Sequence, residues 1–212
     1  MTALAQKHVP FWVDVDAAQH TAVATCKGLF TDADFDGIKL TVEKLLAIED
    51  AITNNSQNAV HEGKFCLVLN KTSTNDLIRQ TAPRVLAKIL RFAKDAVIDH
   101  GWANPGQPLH GVGVGPEQYK VRTVERWCYD VGGGLPDDFH FDHGSLLTLV
   151  VALDDGYDGG VFRTREPDGS MKEHRMRAGD AICFLSHKHH NVTPLLKGRR
   201  HSLVVELWKG KL

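Results

Sequence analysis

The chain has 212 residues, 42% of them hydrophobic and 24% charged, with 25 Lys and Arg against 26 Asp and Glu for a formal net charge of −1. That length favours one domain with a core large enough to stand without staples. The composition excludes a disordered chain, a disulfide scaffold and a transmembrane protein. The balanced charge gives no bulk attraction for nucleic acid or a membrane surface.

Cys26, Cys66, Cys128 and Cys183 are scattered, with no C-x-x-C pair to suggest zinc or redox chemistry. The opening run MTALAQKHVPFW has no apolar stretch of signal-peptide length, and no window approaches the roughly 18 apolar residues of a membrane span. A cytoplasmic protein with four free thiols is expected.

In chain order, HTAVATCKG (20–28) reads as a short strand. From Thr31 the apolar positions Ile38, Val42, Leu45, Leu46 and Ile52 recur at helical spacing, which predicts an amphipathic helix over about 33–53. KFCLVLN (64–70) is a compact apolar run and predicts a strand. Ile78, Ala82, Val85, Ile89, Ala93 and Val97 mark a second helix that ends at Gly101, with Pro83 opening or kinking it. Residues 101–116 hold eight Gly or Pro and predict a long loop.

Beyond that loop come VRTVERWCYDV, FHFDHGSLLTLVVAL, GGVFRTRE, KEHRMRAG, DAICFLSH, HNVTPLL and RRHSLVVELW, separated by Gly- and Asp-rich turns. These short β-branched and aromatic runs predict a sandwich or jelly roll of seven or eight strands, buttressed by the two helices. No linker or repeat divides the chain, so a single domain over 1–212 is expected. It comprises helical and mixed support to about 116 and a β core over about 117–212.

Three places in the β half carry chemistry. In the H-F-D run, His140 and Asp142 are two apart, so on a strand they would point the same way with Phe141 behind. Fifty residues later His190 opens H-N-V-T-P. Two imidazoles and one carboxylate make the facial triad that holds iron(II) with positions left open. An isolated H-x-D is more readily a surface hydrogen-bonded pair, so the context decides. Ten residues after His190, Arg200 and Ser202 share a face at the start of LVVELW, and guanidinium with hydroxyl suits a carboxylate. Arg199 competes with Arg200; Ser202 and the apolar alternation follow Arg200 in phase.

At these residues the chain resembles the iron(II)- and 2-oxoglutarate-dependent dioxygenase superfamily, in its prolyl 4-hydroxylase-like branch. The resemblance covers about 124–208 and rests on the order and spacing of H-x-D, the Y-x-G-G turn at 157–160, AGDAICF, H-x-V-x-P and G-x-R before the last strand. It implies a double-stranded β-helix (jelly-roll, cupin-like) core with N-terminal helices outside it. It further implies Fe(II) on His140, Asp142 and His190, and 2-oxoglutarate held by Arg200, with Ser202 and Tyr129 as further cosubstrate residues. O2 would be the oxidant and ascorbate a candidate reductant. The implied reaction hydroxylates an unactivated C–H of an amino acid, a peptide or protein side chain, or a small metabolite, releasing succinate and CO2.

Two rival classes stand beside this. One is a non-catalytic jelly-roll protein that binds metal without turnover. The other is a calcium module, since D-A-D-F-D-G at 32–37 with Glu43 fits the EF-hand loop over 32–43; a helix N-terminus capped by Thr31 or Asp32 accounts for the same residues. GVGVG at 111–115 lacks a following helix and reads as loop. In SHKHHN, His187 and His189 read as exposed turn residues, and His190 as the ligand.

Overall fold

The last strand, β12 (Arg200–Lys209), alternates Leu203, Val205 and Leu207 with Arg200, Ser202, Val204 and Glu206, so period two gives it two unlike faces. In the computed structural model, which describes residues 15–47, 60–61, 64–69, 76–110 and 119–209, β12 pairs with β4 (Tyr119–Tyr129) on one side and β5 (Leu147–Ala152) on the other. β9 (Ala181–Leu185) and β1 (Ala24–Cys26) extend the sheet beyond β5, and β3 (Lys64–Val68) and β2 (Val60–His61) beyond β4. The result is seven antiparallel strands.

The first face is packed by helices. Leu203, Val205 and Leu207 join Leu147, Leu149 and Val151 of β5 and Ala181, Cys183 and Leu185 of β9 in one apolar core. Against it lies α4 (Pro83–Asp99), whose buried Val85, Leu86, Ile89, Ala93, Ala96 and Val97 recur at three- and four-residue spacing. Each of the buried Val, Leu and Ile side chains contributes roughly 1.5–3 kcal/mol through lost contact with water, and the two alanines less.

The expected second helix is two helices. α3 (Leu77–Thr81) ends before Ala82, whose φ of −138° and ψ of 53° leave the helical region, and α4 begins at Pro83. The residue before proline is driven out of the α region by the ring, and proline needs no amide donor at a first helical position. The expected strand at 20–28 is only three residues, β1, and a short helix α1 (Val15–Gln19) that the sequence did not announce precedes it.

The calcium reading is overturned. α2 (Asp32–Leu46) begins at Asp32, so 32–37 is the first turn and a half of a helix and the ligand loop does not exist. Asp34 turns inward, accepting from the Thr31 amide and hydroxyl at 2.8 Å each and pairing with Lys88 of α4. Gly37 serves close packing, because a Cβ there would lie 3.1 Å from Ala82 Cβ. Residues 48–53 of the expected helix, and 111–116 of the expected loop, lie outside the described residues.

The second face of the large sheet meets a smaller one. β10 (His190–Val192), β7 (Phe162–Arg165) and β8 (Met171–His174) form it, and β6 (Asp158–Gly159) pairs with β11 (Leu195–Lys197) beside it. Phe162 reaches across to Phe184 with ring centroids 5.7 Å apart, closing a second apolar cluster with Tyr129, Val150, Ile182, Val192 and Leu195. The protein is thus mainly β, two sheets face to face with helices behind the larger. Among the described residues no helix is long and apolar enough to cross a membrane.

Candidate active site

His140 and Asp142 do not lie on a strand, contrary to the expectation from their spacing. They belong to the irregular connection between β4 and β5, which runs alongside the chain from 195 back to 186. Main-chain bonds pin it there: Gly132 to Leu195, Leu135 with Val192 in both directions, His190 to the His140 carbonyl at 3.0 Å, and Asp142 to the Ser186 carbonyl at 2.9 Å. The connection is therefore irregular, with a turn at 137–140, yet it is tied to the neighbouring chain at several points.

This brings the three predicted side chains to one point. Among the described residues they are the one group whose nitrogen and carboxylate atoms could hold a metal ion, all within 4.8 Å of one another. His140 Nε2 is 3.2 Å from Asp142 Oδ1, and His190 Nε2 is 3.6 Å from Oδ2. His190 is buried between Phe162 and Phe184, and its Nδ1 is 3.0 Å from the Lys188 carbonyl. A carbonyl only accepts, so Nδ1 carries the proton and Nε2 presents a lone pair towards the Asp142 carboxylate. Two donor atoms facing each other across 3.6 Å are a pair that suits a shared cation. This is the arrangement of a metal-ligating histidine whose other nitrogen is fixed by an outer acceptor.

Asp142 is also fixed from behind, because Thr148 donates to Oδ2 at 2.6 Å and lies 3.0 Å from the Ser186 hydroxyl. Burial raises the Asp142 pKa, but His190, His140 and the Thr148 bond outweigh it and hold the carboxyl below the usual range. Burial lowers the His190 pKa and prevails over the pull of Asp142, which favours the neutral ring. Sequence reasoning missed Thr148 and Ser186. The available signal was a hydroxyl inside LTLVVA, a strand otherwise buried and apolar throughout.

The second predicted group lies on the same face of the large sheet. Arg200 is 3% exposed, donates from Nη1 to Ser202 Oγ at 3.1 Å, and has a buried Nε with no hydrogen-bond partner. Its guanidinium carbon is 5.6 Å from the centre of the Tyr129 ring, against which Trp127 stacks. Burial pushes the Tyr129 hydroxyl up to about 12, partly offset by the Arg200 charge. Arg199 points outward to Asp130 at 2.7 Å, with 62% of its side chain exposed.

A third polar group was not foreseen. Glu125 and Glu206 face the same interior, Glu125 held by Trp127 and Thr123, and Glu206 by Arg122 and Ser145. Burial and the nearby Asp142 push Glu206 up to about 7. The other histidines of SHKHHN are not exposed: His187 is fully buried against Phe141, and His189 is half-buried against Phe139 and Phe141.

No protein-family model matches the chain, and no curated protein does. Solved structures do. A prolyl-4-hydroxylase from Pseudomonas putida is 16% identical over 93% of this chain and 97% of that one, with a TM-score of 0.57. A prolyl hydroxylase from Trichoplax adhaerens, solved with a hypoxia inducible factor peptide fragment, is 13% identical over 93% and 88%, with a TM-score of 0.56. A non-heme α-ketoglutarate-dependent epimerase of nogalamycin biosynthesis is 15% identical over 92% and 81%, with a TM-score of 0.60. The fold of this chain is that of the 2-oxoglutarate Fe(II) oxygenases and prolyl hydroxylases.

Proposed function

We propose that the chain is an Fe(II)- and 2-oxoglutarate-dependent oxygenase whose double-stranded β-helix core forms one catalytic domain over 1–212. The observation that carries this is the His190 imidazole, fixed with its Nε2 lone pair towards Asp142 and with His140 at the same point. Two imidazole nitrogens and a carboxylate on one side are the donor set of a non-heme Fe(II) site, so the residues present fit the metal.

His140, Asp142 and His190 would hold Fe(II). The orphan Nε of Arg200 would be satisfied by the distal carboxylate of 2-oxoglutarate, with Ser202 oriented by the same guanidinium to donate its own hydroxyl. Tyr129 lines that pocket as a neutral phenol and an aromatic wall. When bound, Fe(II) would activate O2 with two electrons drawn from 2-oxoglutarate, one oxygen atom entering succinate as CO2 leaves and the other a substrate C–H. The chain's own part is orientation. Thr148 holds the Asp142 carboxylate, the Lys188 carbonyl holds the His190 ring, and the phenylalanines around His190 exclude water.

The substrate class is an amino acid, a peptide or protein side chain, or a small metabolite. The similar structures span a prolyl hydroxylase with a peptide and an epimerase of a biosynthetic pathway. All four cysteines are free thiols, which supports a reducing, cytoplasmic setting. Purified protein given Fe(II), 2-oxoglutarate, ascorbate and air should convert 2-oxoglutarate to succinate, and anaerobic mixing should give a visible metal-to-ligand charge-transfer band. His140→Ala should abolish both. Metal binding with no succinate under any condition would instead make the protein a non-catalytic metal binder.

A further inference from the structure

We infer that Gln19 is a positioning residue for the His190 ligand, a clamp from the far end of the chain that sets the angle of the imidazole. The inference rests on the metal-site reading above and concerns a residue with no counterpart among the predicted ligands.

Gln19 ends α1 and is buried. Its side-chain amide spans Lys188. Nε2 donates to the His187 carbonyl at 3.0 Å, and Oε1 accepts from the His189 amide at 2.9 Å. Lys188, fully buried, reaches back and donates from Nζ to the Gln19 carbonyl at 2.8 Å. That carbonyl is one of the orphan acceptors at a helix C-terminus, where a cation is also favoured by the dipole. The result is a closed ring of three hydrogen bonds between one glutamine and the turn 187–189. The carbonyl at the centre of that turn, on Lys188, is the one that fixes His190 Nδ1.

The turn therefore cannot rotate its central peptide without breaking a bond to Gln19, and the imidazole follows that peptide. The amide also donates from Nε2 to the Val15 carbonyl at 2.7 Å, so the clamp is anchored in the helix that carries it. Removal of an outer hydrogen-bond partner of a metal ligand weakens metal binding by roughly 10- to 100-fold.

The test uses full-length protein, Co(II) as the metal probe followed by its d–d absorption, and imidazole NMR of the metal-free protein at one fixed pH. Wild type should bind Co(II) in a His140-dependent way and show His190 as a single Nδ1–H tautomer. Gln19→Ala, which frees the turn but leaves the Lys188 carbonyl in place, should weaken Co(II) severalfold and give a mixture of tautomers. Lys188→Met, which keeps the amide clamp and loses only the ammonium bond, should show the same effects to a smaller degree and guards against misfolding of the first variant. Thr21→Ala removes a 2.7 Å bond to the Ala18 carbonyl at the same end of α1 and leaves the bonds between Gln19 and the turn in place, so its Co(II) affinity should be that of wild type. A Gln19→Ala protein that keeps one His190 tautomer and binds Co(II) within twofold of wild type overturns the clamp. Loss of affinity in Thr21→Ala equal to that in Gln19→Ala overturns it as well, by making the effect one of helix stability. A wild type that binds no Co(II) would sink the metal reading alone, since the tautomer comparison still decides the clamp.

Discussion

Arg200 and Tyr129 stand directly opposite each other in the β4–β12 ladder, and the guanidinium carbon of one lies 5.6 Å from the ring centre of the other. The register gives this pairing, because side chains opposite one another in an antiparallel pair project to the same face. Ser202 falls opposite Trp127 in the same ladder, so the whole predicted cosubstrate group is assembled by two strands.

Arg200→Ala should therefore weaken 2-oxoglutarate by on the order of 10- to 100-fold while leaving Co(II) affinity unchanged, the loss of a charge-assisted contact of about 1.5–3 kcal/mol. Tyr129→Phe should cost less than tenfold. Arg199→Ala removes an exposed pair with Asp130 and should change neither quantity. Calorimetric titration of 2-oxoglutarate into Co(II)-loaded protein measures all three. Damage from Arg199→Ala equal to that from Arg200→Ala would show that the cosubstrate is held outside the sandwich.

The three neighbouring histidines should separate by readout. His190→Ala should lose tight metal binding and succinate formation together. His189→Ala should keep both, since its ring packs on Phe139 and Phe141 and is absent from the metal group. His187→Ala should bind metal normally but be less stable by roughly 1–3 kcal/mol, because it empties a fully buried site. Iron content and melting curves for the three variants decide the assignment, and an iron-free His189→Ala would refute it.

Much of this was legible beforehand because it rests on short periods. The alternation in LVVELW located β12 and its two faces, and the in-phase Arg200 and Ser202 followed from it. H-x-D pointed to a pair that the structure does bring together, but not by strand alternation, since the segment is irregular and is held by main-chain bonds to the chain beside it. What the sequence could not show were partners brought by the fold from afar. Gln19 meets a turn some 170 residues away, and Glu125 meets Glu206 only through the β4–β12 pairing. The calcium pattern misled because acidic residues at a helix start satisfy the same spacing as ligands in a loop.

Stability should respond to pH through two groups of opposite sign. Burial and the neighbouring Lys172 charge hold His174 at about 4, against 6.5 for the free side chain. Between those values the unfolded chain binds the extra proton, so this contribution is present above 6.5 and lost as pH falls towards 4. Glu206, at about 7 against 4.5, keeps its proton longer in the folded state, so its contribution is present below 4.5 and lost as pH rises to 7. His174→Gln should leave a melting temperature that falls with rising pH relative to wild type, and Glu206→Gln one that rises. The differences should amount to a few degrees, since one kcal/mol moves Tm by about 2–4 °C at this size. Melting of wild type and both variants from pH 4.5 to 7 checks the signs. Parallel profiles for all three would mean that neither group titrates as its surroundings dictate.

Gly160 links the Y-x-G-G segment to Arg200, the residue proposed to bind the cosubstrate. Its φ is +57°, and a Cβ there would lie 2.9 Å from Arg200 Cδ and 3.1 Å from Leu195 Cδ1. The left-handed backbone costs a non-glycine residue roughly 1–2 kcal/mol. The contact is with a flexible side chain, so the chain can yield at modest further cost, but the group that yields is the one proposed to hold the distal carboxylate. Gly160→Ala should thus lower the melting temperature by a few degrees and weaken 2-oxoglutarate severalfold, with Co(II) affinity intact. Gly159→Ala should behave differently. Its Cβ would meet the Pro194 carbonyl at 2.5 Å and the Leu196 amide at 2.8 Å, which is backbone and cannot step aside, so the β6–β11 pairing and overall stability should suffer most. Gly156, where a Cβ meets nothing within 4 Å, gives the neutral control. Calorimetry of 2-oxoglutarate binding beside thermal melting distinguishes the three. If Gly160→Ala loses stability yet binds 2-oxoglutarate as wild type does, the glycine serves the turn alone and Arg200 is not confined by it.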